Sequence, residues 1–245
     1  MGVYVLFFLI FLAGFVDSIA GGGGLISLTA YYAYGLSPVN ALANNKFSST
    51  LGTSFATLNY IRHGAIEWKS AIAGAVFVMI GASIGANLAL LFSDIYFKYA
   101  MMVVIPVVTV LTLVRKGDRE HEVKDKSKLY VIISLFSLVI GIYDGFFGPG
   151  TGMFLTITFS FVGFKLIESV GNCKFVNLVS NVVSLVIFVS HGQVDYRLGL
   201  PCALASIIGG TLGSQMALKM DRKIIRPMLL LVLALLYLKV AKDIF

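Results

Sequence analysis

Residues 14–24 read Gly14-Phe15-Val16-Asp17-Ser18-Ile19-Ala20-Gly21-Gly22-Gly23-Gly24. Residues 141–152 read Gly141-Ile142-Tyr143-Asp144-Gly145-Phe146-Phe147-Gly148-Pro149-Gly150-Thr151-Gly152. Each stretch is apolar, carries one aspartate, and breaks into a glycine cluster four residues later. Gly14, Asp17, Gly21 and Gly23 recur as Gly141, Asp144, Gly148 and Gly150, at a constant offset of 127 in numbering. Beyond a one-residue insertion in the glycine loop the offset becomes 128. Gly35, Asn44, Lys46, Phe47, His63 and Gly64 then map onto Gly163, Asn172, Lys174, Phe175, His191 and Gly192, and Gly81 and Gly85 map onto Gly209 and Gly213. Glycines alone would reflect only the close packing of membrane helices. The matched Asp, Asn-x-Lys-Phe and His-Gly positions point to an internal duplication.

Composition sets the class. Of 245 residues, 58% are apolar and 13% charged, and the mean hydropathy is +0.91. A soluble domain carries roughly 25% charged residues. The chain has too few charges to coat a water-soluble globule, which excludes a soluble enzyme, a disordered protein and a nucleic-acid binder. Apolar runs of about 20 residues, the length that spans a bilayer as helix, recur along it. The expected fold is therefore an all-α polytopic membrane protein. Ten helical segments are expected, at 2–20, 25–35, 38–62, 66–92, 95–114, 128–146, 152–163, 165–190, 196–219 and 224–243. The second and seventh reach only about 18 Å at 1.5 Å per residue, too short for a full crossing. The start of the chain lacks a positive n-region, so no cleaved signal peptide is expected. Cys173 and Cys202 lie in apolar segments and form neither a disulfide framework nor a metal site. No cofactor is expected.

The basic residues predict the topology. Arg115, Lys116, Arg119, Lys124, Lys126 and Lys128 cluster between the halves, which places 115–127 in the cytoplasm. The turn with Arg62 and Lys69, and the one with Lys219, Arg222, Lys223 and Arg226, then also face inward. This predicts two inverted-topology repeats of about five segments, residues 1–114 and 128–245, joined by a charged linker and with both termini outside. A parallel duplication would put the cluster at 219–226 outside.

Lys46 and Lys174 fall outside that pattern. They lie about eight and nine residues into the third and eighth segments, at about 12 Å of depth for a rise of 1.5 Å per residue. A charge there costs at least about 2.5–3.5 kcal/mol on insertion, so such residues usually face a cavity. Each heads a polar stripe: Lys46, Ser49, Thr53 and Thr57, and Lys174, Asn177, Asn181 and Ser184, at spacings that share one helix face. Two such faces meeting would form one polar, positive cavity. Asn44 and Asn172 stand two residues before the lysines; they serve helix packing, or the helix is unwound there. The short segments would begin near mid-depth, where Gly22, Gly23, Gly24, Gly150, Thr151 and Gly152 would offer backbone N–H groups and a positive dipole end to an anion. Paired broken helices at the midplane are the sequence pointer to a secondary transporter's binding site. Asp17 and Asp144 either couple protons, or pair with the lysines or cap the short helices. His63 and His191 read as helix C-terminal caps, Trp68 as an interfacial anchor.

These residues carry a resemblance. The stretch from Gly14 to Gly24 with Ala43-Asn44-Asn45-Lys46-Phe47, and that from Gly141 to Gly152 with Asn172-Cys173-Lys174-Phe175, resemble the two halves of the TauE/SafE membrane transporter family. The resemblance spans essentially the whole chain. It implies a bacterial inner-membrane exporter of a small sulfur-containing anion, such as sulfite or an organosulfonate. The residues alone reach only an anion transporter. Its expected partners are a small anionic substrate, the lipid bilayer and protons as a candidate coupling ion, with no nucleic acid; the oligomeric state is undefined. An anion channel or a carrier of another organic anion is the alternative. An intramembrane enzyme is disfavoured, since there is no HExxH motif and no aspartate pair placed for proteolysis.

Overall fold

The computed structural model describes residues 1–92 and 126–219. Among them are eight helices and no strand: α1 (Val3–Ala20), α2 (Gly23–Tyr34), α3 (Pro38–Arg62), α4 (Trp68–Leu91), α5 (Lys126–Phe146), α6 (Thr151–Phe161), α7 (Leu166–Ser190) and α8 (Tyr196–Lys219). The molecule is an all-α polytopic membrane protein. The expected segments at 95–114 and 224–243, and the linker up to residue 125, lie outside the described residues. α5 begins two residues before the expected start.

The helix ends follow local chemistry. Ser37 caps α3 by accepting from the Asn40 N–H at 3.4 Å, with Pro38 in the first turn, where its missing N–H costs nothing. Glu67 caps α4 by accepting from the Ser70 N–H at 2.8 Å. Gly21 and Gly35 end α1 and α2 with φ of 80° and 117°, the left-handed region open to glycine. The Nδ1 atoms of His63 and His191 lie 2.8 and 2.9 Å from the carbonyls of Asn59 and Ile187, so both histidines close the helices they end.

α4, α7, α8 and Lys128–Phe146 of α5 are long and apolar enough to cross a membrane. Ile72, Val76, Ile80 and Ile84 stand exposed on α4, and Leu200, Leu204, Ile208 and Leu212 on α8. Each set repeats at every fourth position, which aligns it along one face of its helix. The second set matches the first position for position at the repeat offset of 128. In water such stripes would be aggregation surfaces; in a bilayer they face lipid.

The opposite faces pack through glycine. An added Cβ at Gly81 would strike the backbone at Leu138 and Ile142, and one at Gly85 the backbone at Ile142 and Phe146. On the other side of the molecule, Gly209 meets Phe11 and Phe15 in the same way, and Gly213 meets Phe15. Small residues at four-residue spacing let helix backbones touch. The contacts rise together in number, so α4 runs parallel to α5, and α8 parallel to α1. Gly85→Val is expected to destabilise the protein by about 1–3 kcal/mol through overpacking. Gly2→Ala, with open space around the position, should leave the melting temperature of detergent-purified protein unchanged.

Candidate functional site

The centre of the molecule is where the two glycine loops meet. An added Cβ at Gly152 would lie 2.6 Å from Gly21 Cα, and one at Gly24 3.4 Å from the Gly148 carbonyl oxygen. Both short helices therefore start beside one another. The first-turn N–H groups of a helix lack intrahelical acceptors, and here two such turns converge. Gly150 holds φ at 81° to enter α6. The Thr151 hydroxyl donates to the Gly148 carbonyl at 2.8 Å and fixes that loop.

Lys46 on α3 and Lys174 on α7 are 1% and 0% exposed. Each is neutralised across the halves. Lys46 Nζ lies 2.6 Å from Asp144 Oδ2 of α5, and Lys174 Nζ lies 2.7 Å from Asp17 Oδ2 of α1. Lys46 also donates to Asn181 Oδ1 at 3.1 Å, and the Ser180 hydroxyl donates to Asp144. The positive cavity expected from the sequence is thus a charge-neutral one: two lysines and two aspartates. Burial forces this, because an unpaired ammonium in a low-dielectric interior is far costlier than a paired one.

A small cavity opens between the pairs. It is lined by Asp17, Lys46 and Asp144, by Ser49, Asn177, Asn45 and Asn181 of the long helices, and by Gly21, Gly24, Gly148, Gly150, Thr151 and Gly152 of the loops. Its free space suits a water molecule or two, less than a sulfur oxyanion occupies. Of the residues expected at the site, Lys46, Ser49, Asn177, Gly24, Gly150, Thr151, Gly152, Asp17 and Asp144 line this cavity, and Lys174 backs it through Asp17.

Four do not line it. Asn44 and Asn172 are buried in helix contacts: Asn44 Nδ2 donates to the Asn40 carbonyl at 2.9 Å, and Asn172 Oδ1 accepts from the Glu67 N–H at 2.8 Å. α3 and α7 run unbroken through them, so these asparagines serve packing and the helices are not unwound. A Cβ at Gly22 would meet nothing within 4 Å and Gly22 does not line the cavity, while Gly23 lines a neighbouring cleft. Conversely, Asn45 lines the cavity unforeseen, accepting from Ser27 and, at 3.3 Å, from Ser49. Its signal is its place four residues before Ser49, and so on the same face. Among the described residues no cluster of His, Cys, Asp or Glu could hold a metal ion.

Known proteins share this sequence over nearly its whole length. The model of a family described as sulfite exporter TauE/SafE matches residues 6–240. "Probable membrane transporter protein ORF9" of Sinorhizobium sp is 34% identical over 243 residues, covering 97% of this chain and 92% of that protein. "Probable membrane transporter protein YfcA" of Escherichia coli strain K12 is 33% identical over 242 residues, covering 98% and 89%. A "probable membrane transporter protein" of Haemophilus influenzae is 30% identical over 240 residues, covering 98% and 94%. No solved structure matches.

Proposed function

The chain belongs to the sulfite exporter TauE/SafE family of membrane transporters, and from that premise we propose that it carries a small sulfur-containing anion, sulfite or an organosulfonate, by alternating access. It would work in a bacterial inner membrane as a non-catalytic secondary carrier. The observation that carries the reading is the crossed pair of buried lysines, Lys46 on Asp144 and Lys174 on Asp17, beside two helix N-termini.

The halves act as inverted repeats in this reading, and the direction of the helices supports it. Gly52 of α3 meets Ser206 of α8, and Asn59 Nδ2 donates to Ser214 at 2.8 Å, so α3 and α8 run parallel. α8 runs parallel to α1. Glu67 and Trp68 open α4 against Asn172 and Phe175 of α7, and Gly74 faces Val176, so α4 and α7 run together, as do α4 and α5. α7 crosses α3 in the opposite sense. Lys46 reaches Asn181, while Tyr60, late in α3, shares an apolar cluster with Val170, early in α7. α1 and its counterpart α5 therefore point in opposite directions. Opposed repeats meeting at a polar centre give two equivalent states, open to opposite sides.

The chemistry follows from charge. The centre is neutral before the anion arrives. An anion entering alone would leave one net negative charge buried, at a cost of several kcal/mol. A singly charged anion, such as hydrogensulfite, entering with a proton on one carboxylate frees a lysine and keeps the centre neutral. The freed ammonium and the loop N–H groups then bind the oxyanion, as at other helix N-termini. An anion channel with the same repeat would pass current; a neutral centre with room for only a water molecule or two favours the carrier.

The reading is tested with sulfite, thiosulfate, sulfoacetate, taurine and sulfate against thermal unfolding of the purified chain. A ligand of the folded state raises the midpoint, by about 2.7 kcal/mol of stabilisation at a hundred times its Kd. At least one sulfur anion is expected to do so and to be taken up by proteoliposomes without net current. No shift with any of the five would overturn the substrate class.

A further inference from the structure

The two ion pairs are equivalent by position but not by surroundings. Asp144 is 2% exposed and Asp17 is 17% exposed. Asp144 holds Lys46 and accepts from Ser180, and Lys46 is tied again to Asn181. Among the described residues, the Asp17 carboxylate bonds to Lys174 alone, because the position equivalent to Ser180 is Gly52. One pair is locked by a network; the other rests on a single contact.

The approaches to the two pairs differ in the same way. A narrow cleft leads up to Asp17 between α1, α2, α3 and α8, lined by Ser18, Ser27, Ser48, Ser49, Thr53 and Ser206. Asp17 and Ser49 also line the central cavity, so they stand between the two spaces. In the other half, the positions equivalent to Ser27, Ser48 and Ser206 are Leu155, Val176 and Val78. These three are fully buried and belong to one apolar cluster with Ile133 and Ile140. A hydroxyl-lined cleft with room for water can relay a proton; a close-packed aliphatic cluster cannot.

We propose that Asp17, and not Asp144, is the carboxylate that exchanges the coupled proton, by way of the serine-lined cleft, while Lys46–Asp144 stays paired as a fixed, charged wall of the central cavity. This rests on the carrier reading above and names its proton site. The cleft and the central cavity are two spaces that meet at Asp17 and Ser49, so the proton reaches Asp17 from the one and the anion reaches the site from the other. Protonation of the Asp17 carboxylate removes its charge and releases the Lys174 ammonium to the anion; loss of that proton restores the pair. The groups facing Asp17 are Lys174 and Cys173 from α7, Lys46 and Tyr60 from α3, and Asp144 across the cavity. α2 and α8 face it with serines and glycines.

Infrared difference spectroscopy of the purified full chain across a pH series reads buried carboxyl protonation without any transport. The titrating carboxyl band is expected to vanish in Asp17→Asn and persist in Asp144→Asn. Loss in Asp144→Asn, or equally in both, would overturn the assignment. Should Asp17→Asn fail to fold, Ser48→Val/Ser206→Val, which installs the residues of the other half, serves in its place. It should slow hydrogen–deuterium exchange of that carboxyl, because close-packed apolar side chains leave no voids for water along the route. An unchanged exchange rate would count against the cleft. In proteoliposomes the same double variant should lose sulfoacetate uptake driven by a proton gradient. It should keep sulfoacetate-for-sulfoacetate exchange, in which the proton never leaves. If the wild-type chain moves no sulfoacetate in either assay, the sulfonate cargo falls and the infrared result still decides Asp17.

Discussion

Lys46→Ala is expected to destabilise the protein by about 3–5 kcal/mol, the cost of removing one partner of a buried ion pair, and to abolish transport. The residue left behind is the problem. Asp144 would be a carboxylate with 2% exposure that keeps only the Ser180 hydroxyl. Its solvation by water is gone and its counter-charge is gone. Lys46→Met/Asp144→Asn removes both charges and keeps an acceptor for Ser180. That variant should recover stability to within about 1 kcal/mol of wild type, since a neutral replacement of a buried pair is often tolerated. It should still fail to transport. The comparison separates a folding role from a binding role, with thermal unfolding in detergent as one readout and sulfoacetate flux as the other. Flux surviving in the neutral double variant would remove Lys46 from the site. Lys174→Ala should cost less than Lys46→Ala, because Asp17 retains partial access to solvent.

The second large effect belongs to the crossing of the loops. Gly21 holds φ at 80°, and its Cβ would overlap the Gly152 carbonyl carbon; the Gly152 Cβ would fall 2.6 Å from Gly21 Cα. Left-handed backbone costs a non-glycine residue on the order of 1 kcal/mol. The overlap is with main chain, which has no rotamer to turn away. Gly21→Ala is expected to cost more than about 3 kcal/mol, in the range that marks backbone strain and core overpacking together. Gly22→Ala is the control one residue on. Gly22 has φ of −99° and open space where a Cβ would go, so alanine there should change stability by no more than about 0.5 kcal/mol. Yield of monodisperse protein and its melting temperature check both. A Gly22→Ala variant as unstable as Gly21→Ala would mean that the loop needs flexibility at every position and not only the contact.

Much of the helical layout is legible in the residues themselves. Pro38, the Ser37 cap and the His63-Gly64 stop bound α3, and the observed helix has those limits. His191-Gly192 closes α7 in the same way. The glycine clusters mark the breaks before α2 and α6. The polar stripes from Lys46 and Lys174 lie on one helix face each, as their spacing requires, and bring Ser49 and Asn177 to the cavity. Asn44 and Asn172 are harder to place from sequence. Their position two residues from the lysines turns them about 200° away on a helix of 3.6 residues per turn, toward helix neighbours that the local sequence does not identify. Gly22 groups with its neighbours because a run of four glycines gives no local sign of which one makes the contact.

The membrane class, the helix limits to within a few residues among the described ones, the twofold repetition of motifs, and the two lysines and two aspartates within apolar segments are all legible in the residues. These follow from composition and from the helical periodicity of apolar and polar positions, which are local properties of the chain. Which of these charges meet is set by helix packing. Each lysine pairs with the aspartate of the other half, and the cavity is neutral instead of positive. The reason is physical. A buried charge seeks the nearest opposite charge in space, and proximity in space is set by how α1, α3, α5 and α7 pack. The same holds for the difference between Asp17 and Asp144, whose flanking sequences are alike. What separates them is a cleft of serines on one side and a cluster of valines and a leucine on the other, assembled from helices distant in the chain.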